Sequence, residues 1–184
     1  SGFESLVRAV LPYAFATAAQ VVVVIAGGID LSIASMMAVA SVTAAVMMDG
    51  SSEQYAMFVV PFVLLVGVAM GTINGMLIVF SRVPDIVVTL AMLFVWEGVA
   101  LLILTSPGGT VAPSLRALIT GAALPGLPNA LIFMAVAVAL VWVPIRRAKL
   151  GLSIYAVGSD ELAAFRSGIN VAWTRIIAYG LAGV

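Results

Sequence analysis

Residues Arg146 to Arg175 read RRAKLGLSIYAVGSDELAAFRSGINVAWTR and form the polar island of a chain that is otherwise almost wholly apolar. Five of the eight basic residues lie in it: Arg146, Arg147, Lys149, Arg166 and Arg175. Lys and Arg collect in the cytoplasmic loops of membrane proteins, so this island assigns a side to every other segment. Within it, Asp160 to Gly168 predicts a short amphipathic helix. Ser159 suits the N-cap, Asp160 and Glu161 oppose the helix dipole, and Gly168 suits the left-handed position past the last turn. Leu162, Phe165 and Ile169 fall at i, i+3 and i+7, an apolar stripe along one side.

Outside the island, the composition decides the class. The 184 residues are 64% hydrophobic and only 9% charged, against about 25% charged in soluble domains. Runs without charge cover 9–29, 31–48, 54–81 and 117–145, at or above the ~18 residues that mark a transmembrane helix. The expected fold class is therefore all-α, a polytopic transmembrane helical bundle in the lipid bilayer. With neither Cys nor His in the chain, disulfides, thiolate metal sites, a cysteine nucleophile and the usual general base are excluded. No catalytic residue, metal site or cofactor is expected, and nucleic-acid binding has no support. No signal-peptide cleavage site is evident after Arg8, and further apolar runs follow. The chain opens without Met and stops inside an apolar run begun at Ile176, so a fragment of a longer protein is expected.

The spans are expected at about 9–26, 34–48, 55–80, 86–104 and 129–145, with a truncated one at 174–184. Pro12 falls in the opening turn of the first, and Asn129 is placed to cap the fifth. Between the first two lies Gly27-Gly28-Ile29-Asp30-Leu31-Ser32, a poor helix interior. It reads either as a cytoplasmic turn or as a helix break within the membrane, which needs protein or water around it. Putting 146–173 inside places the external loop 105–128 outside, 81–85 inside and 49–54 outside. Within 105–128, the stretch from Ser114 to Leu124 predicts one short surface helix with Leu115, Leu118 and Ile119 on one face.

Three polar residues at membrane depth are candidates for the translocation path: Asp30, Asn74 and Glu97. An intramembrane carboxylate costs at least ~2.5–3.5 kcal/mol, so it has a task or a partner. Asp30 either caps the helix after Leu31 or shapes the path by holding the glycine-rich break. Glu97 either faces the path, pairs with a basic residue on another helix, or is protonated. Gly67, Gly71 and Gly75 recur every four residues, a ladder that lets another helix approach, with Asn74 beside it able to bond across. Met36, Met37, Met47 and Met48 read as gap-filling core or lipid contacts and not as a metal site.

Taken in order, Gly27-Gly-Ile-Asp-Leu-Ser32, Gly71-Thr-Ile-Asn-Gly75, Pro84 with Val88-Thr89-Leu90, and Gly151 through Val171 resemble the permease subunit of bacterial ABC importers for ribose, xylose and related sugars. The resemblance is colinear and covers essentially the whole chain, as the middle part of such a permease. It implies that 159–168 is the coupling helix, with Ser159, Asp160, Glu161, Leu162, Ala163, Ala164, Phe165 and Gly168 docking on an ABC ATPase subunit. It also implies a second permease subunit, identical or not, a periplasmic or extracellular solute-binding protein received near 105–128, and location in the bacterial cytoplasmic (inner) membrane. The chain departs from the family in reading Glu-Leu-Ala-Ala-Phe-Arg where acidic-acidic-Ala-Ala-basic is common, and in having Glu97 where a basic residue is common.

The expected function is a non-enzymatic transport subunit that passes a monosaccharide or similar solute inward, with ATP hydrolysed by the separate ATPase. This chain has no Gly-x-x-x-x-Gly-Lys-Ser/Thr loop of its own. The competing reading is an ion-gradient-driven secondary transporter with Asp30 and Glu97 as its coupling carboxylates.

Overall fold

In hydrocarbon every backbone N–H and C=O must find its partner within the protein, and long apolar segments do so as helices. The computed structural model describes residues 2–106, 108–124 and 127–184, and it is helical nearly throughout. Helix α1 spans Gly2–Ile25, α2 Ile33–Met48, α3 Glu53–Ser81 and α4 Asp85–Ile103. Among the described residues four helices are long and apolar enough to cross a membrane: Gly2–Ile25, Glu53–Ser81, Asp85–Ile103 and Asn129–Arg147.

Helix α1 starts seven residues before the expected Ala9. Pro12 therefore lies inside the helix and not in its opening turn. Glu4 and Arg8, one turn apart with 3.7 Å between their charged groups, sit in the added segment. Helix α2, with 16 residues, is about 24 Å long by helical rise, short of the ~30 Å hydrocarbon core. Helix α3 ends because Arg82 turns left-handed at φ 58°, its N–H bonded to the Ile78 carbonyl, and Pro84 follows.

The segment 105–128 is shorter in helix than expected. Helix α5 covers Pro113–Thr120 and stops at Gly121, which is extended at φ −71° and ψ 177°. Strand β1, Ala122–Leu124, then pairs antiparallel with β2, Leu127–Pro128. Pro107, Pro125 and Gly126 of that loop lie outside the described residues. Of the expected apolar face, Leu115 packs beside Met48, Ala56, Val59 and Ala112, whereas Leu118 is exposed.

Pro128, not Asn129, holds the N-cap position of α6, Asn129–Ala137. The Asn129 amide instead donates to the Ala117 carbonyl at 3.4 Å and ties α6 to α5. The helix continues through a π turn, Val138–Trp142, into α7, Val143–Arg147. Pro144 has no N–H to give the preceding turn, and the wider register beside it, with Val143 N–H on the Val138 carbonyl, absorbs that loss.

The polar island is itself mostly helix: α8 Lys149–Ser159, α9 Glu161–Arg166 and α10 Val171–Ala182. Helix α8 packs into the bundle, with its Ile154 against Val22 of α1, Ala26 just past that helix, and Ala178 of α10. Helix α10 lies most extensively along α3, and α2 along α4. The core beside α2 is built from Ile33, Met36, Val39, Met70 and Ala100. At one end of the bundle the Thr110 hydroxyl donates to Asp49 at 2.9 Å, and the Ser114 N–H faces the Glu53 carboxylate at 3.3 and 3.4 Å. At the other end the 81–85 turn faces α9 and the start of α10.

Candidate functional site

Two polar clusters, one buried and one half-buried, hold the glycine-rich connection between α1 and α2 in place. The first is built on Asp30 and Asn74. Asp30, 4% exposed, accepts the Ser32 N–H at 2.8 Å and the Ser32 hydroxyl at 2.6 Å. These bonds close a local turn that starts α2. Asn74 of α3 donates to the Ser32 oxygen at 2.7 Å and lies 3.5 Å from Asp30. The Trp96 indole N–H of α4 in turn donates to the Asn74 carbonyl at 3.2 Å. Three helices thus meet through one chain of hydrogen bonds, in surroundings where an unpaired polar group is costly.

Glu97 is not part of that cluster. Its neighbour Trp96 turns inward, while Glu97 itself is exposed on the outer side of α4. Of the three residues expected on the path, the fold brings together Asp30 and Asn74 only.

The second cluster was not apparent from the sequence. One Arg175 nitrogen lies 2.6 Å from both Asp85 oxygens, and the Tyr179 hydroxyl donates to Asp85 Oδ2 at 2.6 Å. The Ile29 carbonyl sits 3.4 Å from the Tyr179 hydroxyl and 3.3 Å from the Thr89 hydroxyl. Asp85 reads locally as the residue after a proline turn, and Arg175 as one more basic residue of the island. Their opposite charges on segments expected at the same membrane side were the available signal. Together with Arg82, Glu161, Phe165 and Asn170 they line an open cavity of about 760 Å³.

Helix α9 stands beside this cavity. Its N-cap is Asp160, whose side chain accepts the Ala163 N–H at 2.9 Å, and not Ser159, which is the last residue of α8. The reason is backbone: Asp160 is extended at φ −157°, while Ser159 is still helical. Gly168, at φ 83°, turns the chain left-handed and lets the Ile169 N–H reach the Ala164 carbonyl at 3.1 Å. The face turned inward is that of Ala164, 4% exposed. Leu162 and Phe165 stand at 57% and 68% exposure, with Glu161 and Ala163 also exposed.

The glycine ladder of α3 meets α10 backbone to backbone. A Cβ on Gly67 would run into the Gly183 carbonyl, one on Gly71 into the Tyr179 carbonyl, and one on Gly75 would come within 2.9 Å of Ile176 Cα. No group of three His, Cys, Asp or Glu among the described residues is placed to hold a metal ion.

Comparison with known proteins adds the family context. The model of a family described as "Branched-chain amino acid transport system / permease component" matches residues 2–184. The ribose import permease protein of Escherichia coli strain K12 is 32% identical over 166 residues, covering 88% of this chain and 51% of the relative. The ribose import permease protein of Haemophilus influenzae is 30% identical, covering 88% and 50%. An autoinducer 2 import system permease protein of Yersinia enterocolitica is 30% identical over 168 residues, again covering 88% and 50%. The chain spans about half the length of these curated relatives. No solved structure matches it.

Proposed function

The chain belongs to the branched-chain amino acid transport system / permease component family, and from that premise we propose that it is the membrane-spanning part of an ATP-driven importer for a monosaccharide or similar small polar solute. The family description names branched-chain amino acids, whereas two of the aligned relatives are named for ribose and another for autoinducer 2. The names of these individual relatives support a sugar-like solute over the amino acids of the family description.

What supports the ATP-driven reading is α9. A capped helix that turns Ala164 inward and leaves Leu162 and Phe165 in the open has apolar surface to give to another protein. Its partner in this proposal is the cytoplasmic ATPase subunit, which carries all the covalent chemistry. The end of the bundle holding 81–85 and 146–173 is then cytoplasmic. The opposite end, with 49–54 and 105–128, faces the solute-binding protein. A second permease subunit completes the pathway in the inner membrane.

The test is uptake into vesicles containing the full-length protein, its ATPase and its binding protein, across a panel of pentoses and hexoses. Uptake that needs internal ATP and the binding protein is expected. Uptake driven by a proton or sodium gradient without the ATPase overturns the proposal.

A further inference from the structure

We propose that Asp85, Arg175 and Tyr179 form a latch that transmits displacement of α9 and α10 to the buried turn at 27–32, making them positioning residues for transport; this rests on the permease reading above. The connection begins at α9. The connection 167–170 is short and bonded to the helix on either side, with the Ile169 N–H on the Ala164 carbonyl of α9 and the Asn170 side chain accepting the Trp173 N–H of α10 at 3.1 Å. Movement of α9 therefore reaches the first turn of α10 with little slack.

From there the attachments are directional. Among the described residues, the side-chain hydrogen bonds that leave α10 for another element all run to Asp85 or to the Ile29 carbonyl. The long contact between α10 and α3, by contrast, is close glycine packing together with Ile78 against Tyr179 and Ala182, and the side-chain hydrogen bonds described for α10 do not cross it. Arg175 and Tyr179 lie one helical turn apart and grip the same carboxylate at the head of α4, 90 and 94 residues earlier in sequence. Tyr179 is wholly buried, and its hydroxyl also abuts the Ile29 carbonyl at 3.4 Å. Ile29 precedes Asp30, whose carboxylate shapes the turn and meets Asn74. Gly28 completes the fit, because a Cβ there would stand 2.5 Å from the Tyr179 hydroxyl and 2.6 Å from Asp85 Oδ2. Contiguous polar contacts of this kind let a shift at one element bias the arrangement of the next.

The experiment uses the full-length permease with its ATPase and binding protein in vesicles, measuring ATP hydrolysis together with uptake of radiolabelled ribose, or of whichever panel sugar the unmodified protein takes up. Tyr179→Phe keeps the ring and removes only the hydroxyl. Uptake is expected to fall about tenfold while hydrolysis falls less than twofold, so that uptake per ATP drops at least fivefold. Asp85→Asn is expected to do the same, and Arg175→Lys, which keeps the charge, to retain at least half of the uptake per ATP. Uptake and hydrolysis falling in proportion in both Tyr179→Phe and Asp85→Asn would mean a merely structural role and would overturn the latch. Unchanged uptake per ATP would overturn it as well. Failure of the unmodified protein to require ATP refutes the importer reading itself, a distinct result.

Discussion

Asn74 of α3 and Ser32 at the head of α2 share a 2.7 Å hydrogen bond, both fully buried and 42 residues apart in the chain. The bond makes Asn74 the centre of the cluster, since it donates toward Ser32 and Asp30 and accepts from Trp96. Asn74→Leu keeps the size and removes all of these bonds. It is expected to lower the stability of the full-length protein in detergent by about 1–3 kcal/mol, the cost of stranding buried polar groups. An unshifted thermal melt would count against this role for the amide.

The glycine ladder makes a contrast within one protein. Gly71→Ala and Gly75→Ala put a methyl against the α10 backbone and are each expected to cost about 1–3 kcal/mol through overpacking. Gly98→Ala has open space around it and is expected to be neutral or to gain up to ~1 kcal/mol from helix propensity. Thermal melts of the three variants check the order.

Gly28→Ala is expected to loosen the Tyr179 bond to Asp85, because the new methyl takes the hydroxyl's space. The damage should shrink when Tyr179→Phe is already present. A double-mutant cycle is expected to return a coupling of about 0.5–3 kcal/mol, and a cycle that closes at zero would mean that the two sites are independent.

Arg175 and Asp85 are only 20% and 15% exposed in their side chains. Arg175→Met leaves the half-buried Asp85 carboxylate with the Tyr179 hydroxyl but without its cation, with an expected loss of roughly 1–3 kcal/mol. Adding Asp85→Leu should recover a large part of it, as seen in chemical denaturation of the double variant against the single one.

Leu162→Ser and Phe165→Ser change exposed side chains. Stability should stay within about 0.5 kcal/mol of the parent, while co-purification with the ATPase is expected to be lost. Retained association would remove α9 as the docking helix.

The backbone plan was largely readable because its causes are local. The long charge-free runs 9–29, 31–48 and 54–81 became most of α1, α2 and α3, and the glycine between Ile119 and Ala122 ended α5 where an uninterrupted helix to Leu124 had been expected. The candidate site was readable only in part. Asp30 and Asn74 stood out as polar residues in apolar runs, but Asp85 and Arg175 sit at segment ends, where charge is ordinary.

The sequence alone determined the class: an all-helical membrane bundle with a basic island at 146–175 and a short helix near 160–168 that ends at Gly168, although its cap was expected one residue early, at Ser159 instead of Asp160. Those features follow from hydrophobic length, charge placement and capping, each written within a few neighbouring residues. Only the tertiary structure decided that Asp30 turns inward to Ser32 and Asn74 while Glu97 faces out, and that Asp85 is held by Arg175 and Tyr179 from the far end of the chain. In lipid a helix satisfies its own backbone regardless of its neighbours. The rotation of each helix, and with it the partner of each polar side chain, is settled by packing between segments that the local pattern does not connect.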